Sequence, residues 1–164
     1  MSAISALAPA VLILFCELTR AVLRLPRKAA PRTVGTMSVR VVRLGSPRLR
    51  REGVRIGTVR RPPRGVPKSQ WAARDFYDVW LPELAPSEAL LKVAQAAADE
   101  RAWKSFARRY SSEMSQPATT RLLDLLAALS HSSDFSVGCY CADEARCHRS
   151  LLRTLLLDRG AALQ

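Results

Sequence analysis

Nine residues, Arg60 to Lys68 (RRPPRGVPK), hold three prolines and a glycine. Proline has no backbone N–H to give a strand ladder and breaks a helix interior, so neither element can run through this stretch. It must be a loop, and it carries four cationic side chains: Arg60, Arg61, Arg64 and Lys68. Before it the pattern is β-like, and after it mostly helical.

Ahead of the loop, Ser38 to Leu44 alternates Val39, Val41 and Leu44 with Arg40 and Arg43, the pattern of a short strand. Gly45, Ser46 and Pro47 end it, and Gly53 restarts the chain into a second strand, Val54 to Val59. Beyond the loop, Trp71 to Leu84 is an irregular or partly helical aromatic segment. Ser87 then stands as an N-cap for a helix from Glu88 to about Ala98. Trp103, Phe106 and Tyr110 recur at helical spacing within 100–114, on one face that belongs to the core. Leu122, Leu125, Leu126 and Leu129 repeat the pattern between Pro117 and Ser130. Phe135 to Ala142 reads as a buried strand. Arg146 to Arg159 reads as a last helix with Leu151, Leu152, Leu155 and Leu156 facing inward and Gly160 as its stop. This order predicts a single layered α/β domain over 37–164, with a small, at least partly parallel sheet flanked by helices.

Residues 1–36 are read apart from it, as a disordered extension or a mis-annotated start, with translation beginning near Met37. The apolar run Ala6 to Phe15 is too short for a membrane span of about 20 residues. The first basic residue, Arg20, follows that run instead of preceding it as in an export signal. Three of the four cysteines crowd into Cys139, Cys141 and Cys147, unlike the scattered cysteines of a secreted disulfide scaffold. A cytoplasmic, reducing setting is expected.

The net charge of +12 is uneven. Eleven basic residues lie between 37 and 74 against Glu52 alone, whereas 75–164 has ten basic and twelve acidic residues. An excess of this kind serves an anionic partner, either a small molecule or a nucleic acid, or simply solubility. For nucleic acid, Trp71, Phe76 and Tyr77 would stack on bases or pack inside, and no helix-turn-helix, zinc-finger or RNA-recognition signature is present.

The segment Cys139 to Arg149 (CYCADEARCHR) carries the chemistry. Cys139 and Cys141, two apart on a strand, point to one side, and Cys147 and His148 open the next helix. Three readings stay open. Three thiols and an imidazole supply a zinc-like donor set, although C-x-C-x5-C-H is not the paired C-x2-C knuckle and no metal is assigned. Cys141 at a strand end can be a catalytic thiolate held by Arg146, His148 and Arg149. Lastly, if the second strand and the cysteine strand run parallel, Arg60, Arg61, Arg64 and Lys68 meet His148 and Arg149 beyond the strand ends. An anion would then bind there, with Arg60, Arg64, Lys68 and Arg149 as ligand-binding residues and His148 as catalytic acid or base. The plainer alternative is that His148 and Arg149 cap their helix against Asp143 or Glu144. No cofactor and no oligomeric state is read from the sequence.

Four ordered blocks, RRPPRGVPK (60–68), DVWLPELAPS (78–87), WKSFARRYSSEM (103–114) and CADEARCHR (141–149), resemble the family called domain of unknown function 488 over nearly all of Met37 to Leu157. The resemblance implies a small cytoplasmic bacterial α/β protein and fixes no reaction. Many relatives have an Asp-Arg pair and a tryptophan where this chain has Val59-Arg60 and Pro62, and some have Asn-His in place of Cys147-His148. That argues against Cys147 as an indispensable metal ligand or nucleophile. Arg64 and His148 fall on matching positions.

Overall fold

The computed structural model describes residues 37–96 and 99–164, and the expectations for 1–36 and for the last two residues of the helix ending near Ala98 lie outside them. Four strands form one sheet in the order β1-β4-β2-β3, with β1 Val39–Arg43, β2 Val54–Gly57, β3 Val79–Trp80 and β4 Phe135–Cys139. Every pairing is parallel. Four helices follow the proline-rich loop: α1 Glu88–Ala96, α2 Glu100–Met114, α3 Pro117–Leu129 and α4 His148–Leu157. No helix among the described residues is long and apolar enough to cross a membrane.

Parallel sheets must be covered on both faces, and two apolar clusters do this. One joins Val39, Phe135 and Val137 to Leu90, Phe106, Tyr110, Leu123, Leu152 and Leu156. The other joins Leu44 and Val59 to Tyr77, with Trp71, Phe76 and Tyr140 packed against it. The segment read as irregular and aromatic therefore serves as the second cover. It also contains the two-residue strand β3, which local pattern did not reveal. Gly57 makes this cover fit: a Cβ there would meet the Tyr77 ring at 2.3 Å.

Helix placement follows the expected chemistry. Ser87 Oγ accepts from the Leu90 N–H at 3.2 Å, as an N-cap should. Phe106 and Tyr110 are buried on α2, and the Tyr110 hydroxyl donates to the Leu84 carbonyl at 2.8 Å. The phase of α3 differs from the leucine pattern. Its buried residues are Leu123, Leu126 and Ala127, while Leu125 and Leu129 are exposed. Leucine on nearly every side of this helix leaves the period ambiguous, and packing against α4 and α2 selects the face.

One buried ionic network pins the loop between β1 and β2. Arg55, fully buried, donates through Nε and Nη2 to the two Glu52 oxygens at 2.5 and 2.7 Å and through Nη1 to the carbonyls of Ser46 and Asp75. Ser136 Oγ and the Leu49 N–H also donate to Glu52. Burial pushes the Glu52 carboxyl up, but these hydrogen bonds, led by Arg55, outweigh it and hold it at about 2. Gly53 turns the chain beside this pair at φ +74°, where a Cβ would lie 1.8 Å from the Asp134 carbonyl oxygen.

Candidate functional site

Because β2 and β4 are adjacent and parallel, their carboxyl ends open on the same rim. Beyond β2 the chain enters the arginine loop, and beyond β4 it passes through Tyr140 and Cys141 to the start of α4. A cavity of about 650 Å³ lies there, lined by Val59 to Arg64, Phe76, Pro86, Glu88, Leu91, Lys92, Cys139 to Cys141 and His148. This is the position at which open α/β sheets take up ligands.

The loop is held in place from several directions. Arg60 donates to the carbonyls of Pro86 and Ala85 at 2.9 and 2.7 Å. Arg61 forms a two-point pair with Glu88 at the start of α1. Trp71 Nε1 donates to the Val66 carbonyl at 3.0 Å, and Trp80 Nε1 to that of Val59 at 2.7 Å. Arg64 and Lys92 reach the cavity without a side-chain hydrogen bond or ion pair to any described residue.

At the floor, the sulfurs of Cys139, Cys141 and Cys147 all lie within 4.8 Å of one another. Cys139 Sγ stands 3.6 Å from Cys141 Sγ. Cys139 and Cys147 are buried, while Cys141 is exposed. Hydrogen bonds from Cys139 and Cys147 hold the Cys141 thiol far below its usual range, with Arg149 adding to the effect. Donating those bonds, together with burial, raises Cys139.

His148 is nine-tenths buried or more, and its Nε2 lies 2.8 Å from the Thr58 carbonyl oxygen. A carbonyl only accepts, so Nε2 carries the proton and Nδ1, 3.8 Å from Cys147 Sγ, presents a lone pair. Burial pushes this imidazole down to about 4, so it is neutral at pH 7. Arg149 is 3% exposed; its Nη2 donates to the Cys141 carbonyl at 2.9 Å and its Nε has no partner. Asp143 and Glu144 do not cap against these two residues. Glu144 pairs with Arg153 at 2.9 Å, and Asp143 accepts from the Ala145 N–H. Arg146 is turned to Glu100, at 3.1 Å, and to the Trp103 ring.

A family model described as "Active DUF488-N3 subclade" matches residues 39–160, most of the chain. The chain belongs to the DUF488 family. No curated protein and no solved structure matches it.

In this DUF488 domain, Arg60, Arg64, Cys141 and His148 of the expected site surround one cavity, and Arg149 lies beneath it against the Cys141 carbonyl. Lys68 does not join them; it opens a short 3-10 turn, Lys68–Gln70, outside the cavity lining. Sequence reasoning missed Lys92, Glu88 and Tyr140. A signal for Lys92 existed: it stands four residues after Glu88, one helical turn along α1, and so shares the face that meets the arginine loop.

Proposed function

We propose that this DUF488 domain takes up a small anionic molecule, with a phosphate-like group on Arg64 and Lys92 and a flat or apolar body against Phe76, Tyr140, Pro62 and Leu91. The thiol cluster at the floor, headed by Cys141, is the group that acts on the bound molecule, with His148 and Arg149 fixing its surroundings. The carrying observation is the cavity itself, whose wall bears Arg60, Arg61, Arg64 and Lys92 against Glu88 as its single acidic residue. Its volume of about 650 Å³ suits a nucleotide-sized ligand. A reaction, as opposed to binding alone, accords with the family model's description as an active subclade.

A nucleic-acid partner is the weaker reading. Part of the basic stretch is paired within the protein. Arg55 is buried on Glu52, Arg48 pairs with Asp78, Arg60 holds two carbonyls, and Arg61 holds Glu88. Tyr77 is buried, and Trp71 and Phe76 are partly buried against the second cluster, so none of the three forms an open stacking platform. Thermal denaturation with adenosine 5′-monophosphate tests the proposal. A rise in Tm that is lost in the R64A/K92A variant supports it, and no rise in the wild-type protein refutes it.

A further inference from the structure

Cys139 and Cys141 in the cavity lining, with the buried Cys147 beside them, present a donor set more specific than a single reactive thiol. We infer that Cys139, Cys141 and Cys147 form a three-thiolate site for one divalent ion of the zinc class, with its fourth position open to the cavity. The inference deepens the proposed function and rests on it only for what occupies that fourth position.

Tetrahedral zinc bonds to sulfur at about 2.3 Å, which sets its sulfurs roughly 3.7 Å apart. Cys139 and Cys141 already stand at 3.6 Å, and all three sulfurs fall within 4.8 Å of one another. Small side-chain rotations suffice to close the set. The backbone holds it from two elements: Cys139 ends β4 with Cys141 two residues beyond it, and Cys147 is the N-cap of α4. The intervening turn is fixed by the Cys147 N–H on the Glu144 carbonyl at 3.1 Å and the Ala145 N–H on Asp143 at 2.9 Å.

Arg149 is a buried cation with no carboxylate partner among the described residues, and its Nε has no acceptor at all. A buried charge of this kind requires an anion beside it. Three thiolates and a divalent ion together carry one negative charge, which one guanidinium neutralises. Ligand softness then decides the ion: sulfur donors select zinc-like ions over magnesium or calcium. The fourth position faces the cavity because Cys139 and Cys141 both line it. An anion held by Arg64 and Lys92 would complete the coordination there.

Cobalt(II) titration of the reduced, chelator-treated full chain tests this. The expected result is one ion per chain, with thiolate-to-cobalt charge transfer and the intense visible bands of tetrahedral cobalt. The bands should be displaced by zinc and altered when adenosine 5′-monophosphate is added. C139S, C141S and C147S should each lose them, and C16S should keep them. Because Cys141 is exposed, C141S retains the fold and stays interpretable even if a buried cysteine variant does not. Absent bands, or bands kept in C141S, overturn the metal site. Bands that the nucleotide leaves unchanged overturn the open fourth position. Nucleotide binding measured by Tm without any cobalt bands sinks this inference alone, whereas cobalt bands without nucleotide binding sink the proposed ligand and leave the metal site standing.

Discussion

Nη2 of Arg149 donates to the carbonyl oxygen of Cys141 at 2.9 Å, from a guanidinium that is almost wholly buried. The contact ties the first turn of α4 to the end of β4, and it sets a positive charge beneath the thiol cluster.

Removing that charge while keeping its volume, R149M, should weaken binding far more than it weakens the fold. Groups that support metal ligands contribute about 10–100-fold to affinity, so cobalt binding should weaken by that factor. The metal-free protein should change little in stability, because the lost hydrogen bond to the Cys141 carbonyl is offset by the removal of a buried charge. Cobalt titration and urea denaturation of the same variant check both.

E52Q should destabilise the fold by about 3–5 kcal/mol, since it leaves the fully buried Arg55 guanidinium uncompensated. Urea midpoints at pH 7 measure it.

Acid should remove the same contribution. Glu52 is held at about 2 in the fold against 4.5 ordinarily. A carboxyl lowered on folding stabilises fully above its unfolded value and loses that contribution as pH falls toward the folded one. Wild-type stability should therefore decline between about pH 5 and pH 2, and the gap to E52Q should narrow over the same window. Urea midpoints collected across that range would show the convergence.

G57A should cost about 1–3 kcal/mol or more, because the added methyl meets the Tyr77 ring and must push the aromatic cover off the sheet. Near-ultraviolet circular dichroism should weaken along with the Tm, since Trp71 packs edge-on against Tyr77.

Much of this fold is legible in local pattern. The β-branched runs at Val39 and Val54, the Ser87 cap and the aromatic spacing of α2 each follow from short-range chemistry. So does the meeting of the arginine loop with the start of α4, once β2 and β4 are parallel neighbours. What escapes is set by distant packing. Arg55 sits in a strongly basic stretch and reads as a surface charge, yet Glu52, itself held by Ser136, and two carbonyls take up its guanidinium in the interior. The two residues of β3 are too few to carry a period. Lys92 reaches the cavity only because α1 packs where it does, and Lys68 misses it because the loop turns at Gly65 before reaching that residue.

R64A and K92A should each weaken adenosine 5′-monophosphate binding about tenfold to a hundredfold, the worth of one hydrogen bond to a charged group. R74A, an exposed arginine outside the cavity lining, should leave it unchanged. Calorimetric titration of the three variants distinguishes a cavity from a diffuse basic surface, on which R74A would also weaken binding.

The most direct measurement is a residue-resolved nuclear magnetic resonance titration with adenosine 5′-monophosphate. The proposed site requires amide shifts concentrated at Val59, Arg60, Arg61, Arg64, Phe76, Leu91, Lys92, Tyr140 and Cys141. Shifts at Arg43, Arg50 and Arg74 instead, or none at all, would contradict it.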